Sequence, residues 1–481
     1  MNDPPVATLP SRRRFRLSDA RSWLVIIAMT LALAAITTHQ SFTRYREFRS
    51  GFSWDLAYYN QWFWAMTRGD GLITVRPLAA YAEEGPSVWK MNYIAPIRFA
   101  ILPLYALVPD PRTLLLVQNA VFWLMIPAAY TLIRSESKSE TLAISGAALT
   151  PLTPLAWPLV WNDFRELQLA IPFVLWAIQG WRERNRVTTA AGIAGMLACR
   201  QEFALVVAGL WIVPAREPET ADQRRRWALA ALVVGIGWFA FVFLPYLAWR
   251  VGPHAPADYL GQFAGTGAPI REIVAAALEF LIIGLGPWAV CAVFAPRVAV
   301  LALPWLWRVS HELWTVRTLE MESWHHVRYA VPMTALFLAA ALVGYARIGS
   351  WLSRRPQRGW APAALLLMIA GLSASNVALQ LLFAKVPRPI SLAESEPLRY
   401  WIDQVGPEDG VLTAYEVAAP LSSRRSLYSY RLDENKPAGY PRLAPSIRWA
   451  FVRTGEVPPL LFLSQGFAQV SSGPGIQVFW R

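Results

Sequence analysis

Five long stretches of this 481-residue chain are nearly free of charge: residues 23–38, 113–133, 227–249, 273–294 and 361–384. About 20 apolar residues are enough to cross a bilayer core as a helix, so stretches of this kind, repeated along one chain, predict a polytopic membrane protein. Composition agrees. Hydrophobic residues make up 55% of the chain and charged residues 16%, against about 45–50% and about 25% in soluble proteins. These values exclude a soluble globular enzyme, and the abundance of aromatic and branched side chains excludes a disordered chain.

The formal net charge of +13 raises the question of nucleic acid. From Lys385 to the C-terminus there are 11 basic and 9 acidic residues, so the excess lies in the apolar part of the chain. There it is scattered over short loops such as Arg182-Glu183-Arg184-Asn185-Arg186 and Arg224-Arg225-Arg226. That placement fits membrane orientation signals, and no nucleic-acid partner is expected. Cys199 and Cys291 each sit in apolar sequence, leaving no disulfide framework and no Cys-based zinc site to read. Arg12-Arg13-Arg14 precede an apolar run without a small-residue cleavage site, which predicts an uncleaved first span.

The organisation follows from these signals. Residues 1–21 read as a cytoplasmic basic tail, 22–384 as a transmembrane domain with a long first outer loop at 43–92, and 385–481 as a small extracytoplasmic α/β domain. The fold class is an all-α polytopic membrane protein with about eleven spans, near 22–42, 112–133, 141–160, 167–181, 187–199, 203–215, 228–250, 273–295, 298–308, 329–347 and 361–384. Residues 93–108 carry Arg98 and prolines at 96 and 103, and are expected to be re-entrant or interfacial. Alternation then places the N-terminal tail, Arg134, Lys138, the 182–186 and 216–226 loops and residues 347–358 on one side. The positive-inside rule makes that side cytoplasmic, in the cell inner (plasma) membrane. Arg44, Arg46 and Arg49 run against this bias from the supposed outer side. In the C-terminal part, strands are expected at 411–415, 426–430 and 449–453, with a hairpin joining 468–470 to 476–480.

Polar clusters that interrupt apolar sequence are the candidate chemistry, because ionisable residues at membrane depth are costly and face partners or water-filled cavities. Asp55 stands in the aromatic stretch Gly51-Phe52-Ser53-Trp54-Asp55-Leu56-Ala57-Tyr58-Tyr59-Asn60-Gln61-Trp62-Phe63-Trp64, whose rings suit the headgroup level. A carboxylate there can serve as a general base, and it equally suits the N-cap of a helix starting at Leu56. Asp163, Arg165 and Glu166 fall in a tight outer loop, as binding residues or as a solvated turn. Arg200 and Glu202 separate two short spans, either as site residues or as a mutual salt bridge between helix ends. Glu320, Glu322, His325, His326 and Arg328 crowd the entrance to a later span, where His326 and Arg328 suit contacts to a lipid phosphate or anchoring of the next helix. Glu322 stands at i−4 from His326, but the spacing does not support a transition-metal site, and no metal or other cofactor is expected.

Several short motifs carry a resemblance. Trp54-Asp55-Leu56 with Gln61 and Trp64, Ala95-Pro96-Ile97 with Leu102-Pro103-Leu104-Tyr105, Asp163-Phe164 ahead of Leu169-Ala170-Ile171-Pro172, Cys199-Arg200-Gln201-Glu202, His326 to Pro332, and Leu421-Ser422-Ser423-Arg424 with Tyr428 together resemble a family of uncharacterised polytopic membrane proteins of bacteria and archaea. The resemblance runs over roughly residues 40–430. That family carries a domain-of-unknown-function label and is similar to the GT-C glycosyltransferases, membrane enzymes that take sugars from polyprenyl-phosphate donors. The resemblance implies that Asp55 is the catalytic carboxylate. Two departures stand out: Asn92-Tyr93 where the family commonly has a His-containing motif, and Arg165 where it has a His after Asp-Phe. An arginine binds phosphate but does not shuttle a proton.

The function this implies is a GT-C-like glycosyltransferase at the outer membrane face, with membrane lipid and a polyprenyl-phosphate sugar donor as partners. Asp55 would be catalytic, and Asp163, Arg165, Arg200, Glu202, His326 and Arg328 would bind substrate. A transporter or lipid-handling protein without covalent chemistry, or a non-catalytic membrane scaffold, would use the same polar clusters differently. The enzyme reading expects Asp55, Arg165, Arg200 and His326 around one outward cavity.

Overall fold

The computed structural model describes residues 17–48, 55–71, 74, 87–90, 93–261, 267, 269–318, 330–354, 360–383, 392–429, 443–472 and 475–481. Five of the described helices are long and apolar enough to cross a membrane: Ala20–Arg46, Pro111–Ser137, Ala221–Val251, Val331–Ser353 and Ala361–Leu381. A sixth arises if the bent pair Ile270–Leu285 and Pro287–Val293 is one span. The protein is therefore a mostly helical, polytopic membrane protein. Other expected spans fall on shorter elements such as Ala170–Glu183 and Arg186–Cys199, each about 21 Å long at about 1.5 Å per residue. Length and composition thus select fewer than the eleven spans expected. Within residues 93–108 the helix Ile97–Leu107 has 11 residues and is about 16 Å long, half the apolar thickness of a bilayer.

Local chemistry sets the starts and breaks of these helices. Asp110 caps Pro111–Phe122 by accepting a hydrogen bond from Arg112 N at 2.8 Å, with Pro111 at the first helical position. Pro245 has no N–H to offer, and the turn before it, Phe239–Phe243, widens into a π-helix. At Gly286 the chain adopts φ 57° and ψ −138°, open in practice only to glycine, and bends by 109°. The central helix Val331–Ser353 is apolar on all sides and buried without a break from Val331 to Gly344, as a core helix should be. A Cβ on Gly344 would lie 1.8 Å from the Cys291 carbonyl oxygen, so Pro287–Val293 packs against it backbone to backbone.

The connecting segments gather at two ends of the helical bundle. At one, Arg182 pairs with Glu136 at 2.5 and 2.8 Å, Arg184 pairs with Glu219 at 2.7 Å, Arg216 donates to the Ser135 carbonyl, and Arg347 donates to Phe294 O at 2.7 Å. At the other, Trp161 Nε1 donates to Gln40 Oε1 at 2.7 Å and Ile94 N donates to Gln201 Oε1 at 3.1 Å. Of the arginines that ran against the orientation bias, Arg44 uses its guanidinium structurally here and Arg46 its backbone carbonyl. Arg44 donates to the Trp161 carbonyl at the end of the helix Ala156–Trp161, and the Arg46 carbonyl accepts from Arg399. Arg49 lies outside the described residues.

The C-terminal part carries a five-stranded sheet with strands β1 (Gly410–Thr413), β2 (Leu427–Ser429), β3 (Ile447–Arg453), β4 (Ala468–Ser472) and β5 (Ile476–Trp480), in the order β2-β1-β3-β5-β4. β1 runs parallel to β2 and β3, while β5 is antiparallel to β3 and β4. Strand alternation gives the sheet two apolar faces. Leu412, Tyr428, Ala450 and Phe479 meet Phe462 and Phe467 in a small separate core. Their neighbours Val411, Leu427, Phe451 and Val478 join the same cluster as the helices, so the sheet is continuous with the bundle.

Candidate active site

The aromatic stretch folds as the helix Asp55–Arg68, with Asp55 its first residue; the preceding Trp54 lies outside the described residues. Its rings were expected to rest on the membrane surface. Those of Tyr58, Tyr59, Trp62 and Phe63 are instead buried in protein, because neighbouring segments offer both ring contacts and polar partners. Phe164 packs edge-on to Tyr59 at 5.4 Å and to Phe63 at 6.2 Å. Trp62 Nε1 donates to Val88 O at 2.8 Å, and Tyr105 Oη donates to Asn60 Oδ1 at 2.7 Å.

The turn before strand β2 grips the same helix. Asn60 Nδ2 donates to Ser422 Oγ at 2.8 Å and to Ser423 Oγ at 3.0 Å, and Gln61 Nε2 donates to the carbonyls of Arg424 and Arg425 at 3.1 and 3.0 Å. Thr74 completes the joint through Leu427, accepting from its N–H at 2.9 Å and donating to its carbonyl at 2.7 Å. The turn is held from behind by Arg424, which donates to Leu421, Gly406 and Asp409 carbonyls at 2.7, 3.0 and 2.9 Å. Burial pulls the Arg424 guanidinium down to about 10, against the pull of Asp409 and Glu408.

Asp55 forms an ion pair with Arg165, whose side chain is buried while that of Asp55 remains a quarter exposed. Gln118 fixes the backbone beneath this pair, accepting from Arg165 N at 2.9 Å and donating to Asn162 O at 2.8 Å. One residue further on, Glu166 is fully buried and pairs with Arg98, itself stacked near Tyr59 and Trp62 at 5.3 and 5.7 Å. Burial opposes ionisation of Glu166, but Arg98 and Arg200, with a hydrogen bond from the Tyr59 hydroxyl, hold its carboxyl below the usual carboxylate range.

Arg200 lies at the end of the helix Arg186–Cys199, over the Tyr93 ring at 3.1 Å and 3.8 Å from Glu202, which also faces Arg308 at 3.6 Å. The Nη1 and Nε atoms of this buried guanidinium make no hydrogen bond among the described residues. The site therefore combines an accessible carboxylate, a set of ion pairs that holds it in place, and a buried arginine with donors to spare. Two of its members, Tyr93 and Arg165, stand where the chain departs from the family pattern.

Residues 44–249 match the family model described as "Predicted membrane protein (DUF2079)". That stretch contains the whole ion-pair network except Arg308, but ends short of the C-terminal turn that the sequence resemblance had included. No curated protein matches the sequence. Among solved structures the chain is similar to ArnT from Cupriavidus metallidurans bound to undecaprenyl phosphate, at 13% identity, over 96% of this chain and 98% of that one, with a TM-score of 0.42. Arabinofuranosyltransferase AftD from Mycobacteria is similar at 13% identity over 94% of this chain and 41% of that one, with a TM-score of 0.44. The Archaeoglobus fulgidus oligosaccharyltransferase is similar at 11% identity over 88% and 68%, with a TM-score of 0.39.

The structure brings Asp55, Asp163, Arg165, Arg200 and Glu202 to one end of the bundle, Asp163 buried beside its paired neighbours. His326 and Arg328, with Glu320, Glu322 and His325, lie outside the described residues. Arg165, expected on a substrate phosphate, forms an ion pair with Asp55, and Glu202 is shared between Arg200 and Arg308 rather than forming an isolated bridge with Arg200. Sequence reasoning missed Arg98 and Glu166 as partners and missed Asn60 as a docking residue. A signal for the first pair existed: a lone cation inside the apolar 93–108 stretch requires a carboxylate from elsewhere. Among the described residues, no group of three His, Cys, Asp or Glu could hold a metal ion.

Proposed function

We propose that the protein is an integral-membrane glycosyltransferase of the GT-C kind, using a polyprenyl-phosphate-linked sugar at the outer membrane face. The observation that carries this reading is an accessible carboxylate, Asp55, held by Arg165 at the same end of the bundle as a buried arginine, Arg200, whose Nη1 has no hydrogen-bond partner among the described residues. In the proposed reaction an acceptor hydroxyl oxygen attacks the anomeric carbon, its proton passes to Asp55, and the bond from that carbon to the phosphate oxygen breaks. The lipid phosphate leaves with the bonding electrons. Arg200 stabilises the charge growing on that phosphate, and Arg165 acts as a positioning residue for Asp55.

In this reading the chain crosses the plasma membrane about eleven times, some crossings being short or broken helices. The Arg182 end is cytoplasmic by the positive-inside rule, and the Asp55 end with the C-terminal domain is outside. His326 and Arg328 remain candidates for the donor phosphate.

Two readouts test the proposal. Native mass spectrometry of gently extracted wild type should show a co-purified polyprenyl phosphate or its sugar adduct, retained in Asp55→Asn and lost in Arg200→Ala. Consumption of the lipid-linked sugar in membranes should be lost in both variants. If wild type retains only bulk phospholipid and Asp55→Asn leaves turnover unchanged, the assignment fails. Retention of the lipid without consumption by wild type would point to a transporter.

A further inference from the structure

A second polar feature lies at the opposite end of the bundle from Asp55. A cavity of about 250 Å³ opens between the end of the helix Ala170–Glu183, the segment at Pro214, residues 295–298 and the helix Val331–Ser353, and is lined by Arg182, Arg297 and Arg347. Among the described residues, no acidic side chain lines it. Its volume is about eight times the roughly 30 Å³ share of one water, room for a small solvated anion or a headgroup.

The three arginines differ in what already occupies them. Arg182 is buried and engaged by Glu136 and the Pro214 carbonyl. Arg347 spends one donor on Phe294 O at 2.7 Å, and Arg297 is exposed and makes no hydrogen bond or ion pair among the described residues. After Glu136 balances Arg182, two guanidinium charges still face the cavity. Packing fixes this arrangement. Gly344 lets Pro287–Val293 approach the central helix through Cys291 O, and Arg347 stands one turn further along, where it meets the end of that short helix.

A cavity with two uncompensated guanidinium groups and, among the described residues, no carboxylate on its wall suits an anion whose oxygens accept forked hydrogen bonds. We propose that this cavity is a phosphate-binding site, distinct from the Asp55 site, that takes the phosphate of an anionic phospholipid headgroup. Its place in a seam between helices, at the end carrying Arg184, Arg186 and Arg224 to Arg226, favours a lipid source, since basic interhelical pockets on the cytoplasmic side attract anionic headgroups. Free phosphate offers the same chemistry without the chains.

The test uses the full-length protein in phosphatidylcholine nanodiscs, supplied with phosphatidylglycerol in one arm and inorganic phosphate in the other. Bound phosphatidylglycerol is counted by native mass spectrometry, and phosphate binding is read from the shift in melting temperature. The expected result is selective retention of phosphatidylglycerol by wild type, weakened roughly tenfold or more in Arg297→Ala/Arg347→Ala. A response to inorganic phosphate alone, equally dependent on the arginines, would keep the anion site and overturn its lipid source. Should the double variant fail to fold, Arg297→Glu places the reversal at an exposed position and should abolish retention. Binding of both ligands that is indifferent to these substitutions overturns the proposal. Arg297 and Arg347 play no part in the Asp55 chemistry, so failure here leaves the glycosyltransferase reading standing.

Discussion

At the Asp55 end of the bundle, Arg98, Arg165, Arg200 and Arg308 each lie within ion-pair reach of a carboxylate, whereas at the Arg182 end Arg297 and Arg347 have none among the described residues. The difference follows burial. Arg98, Arg165 and Arg200 are almost wholly enclosed, and an enclosed guanidinium without a counter-charge costs several kcal/mol. Arg297 and Arg347 are exposed and can wait for a ligand. One end thus spends its charges on holding geometry, and the other keeps two of them available.

The sharpest way to break this contrast is at Asp55. Asp55→Asn keeps the shape of the side chain and removes the base, and lipid-linked sugar turnover in membranes should fall by about 10²-fold or more. Next in size is Glu166→Leu, which strands Arg98 in the interior; denaturant or thermal unfolding should show a loss of about 3–5 kcal/mol. Combining it with Arg98→Met should recover most of that loss. The pH dependence has a defined sign. Because Glu166 titrates lower in the folded protein than its unfolded reference of about 4.3, its contribution is fully present above that pH and drains away as pH falls through the folded value. Wild-type stability should lose this part only below about pH 4, and Glu166→Leu should remove that portion of the acid loss.

Gln61→Ala tests the joint rather than the charges. It deletes hydrogen bonds to two carbonyls of the C-terminal turn, at a cost of about 1–3 kcal/mol, and should loosen the Asp55 helix enough to lower turnover while donor retention persists. Smallest is Glu217→Ala at the Arg182 end. Glu217 pairs with Arg216 in the open, so melting should move by no more than about 0.5 kcal/mol. A large effect there would show that this end depends on its exposed ion pairs as well as on the buried Arg182–Glu136 pair.

How much of this was legible in advance varies residue by residue. Asp55, Arg165, Arg200 and Glu202 announced themselves as charges interrupting apolar sequence, and the five strands of the C-terminal sheet fall where alternation and turn residues placed them. The shorter expected spans were harder to bound, because a helix enclosed by other helices need not be 20 apolar residues long to look like one. The aromatic helix was assigned to the membrane surface because rings favour interfaces in general. Nothing local reveals that Phe164 and the Leu421–Leu427 turn claim those positions first.

Composition and the spacing of apolar stretches were sufficient to establish a polytopic membrane protein, since the bilayer demands long apolar helices whatever their partners, and alternation placed the small C-terminal sheet. Which charges meet was decided only by the tertiary structure. Arg98 and Glu166 are 68 positions apart, and Asn60 and Ser422 are 362 apart. Coulombic attraction and hydrogen bonding act over a few ångströms in space and carry no record in the sequence of which distant segment will supply the partner. The same holds for the arginine-lined cavity: its charge excess was visible as scattered loops, but the enclosure that lets Arg182, Arg297 and Arg347 face one volume exists only once Gly344 has brought two helices together.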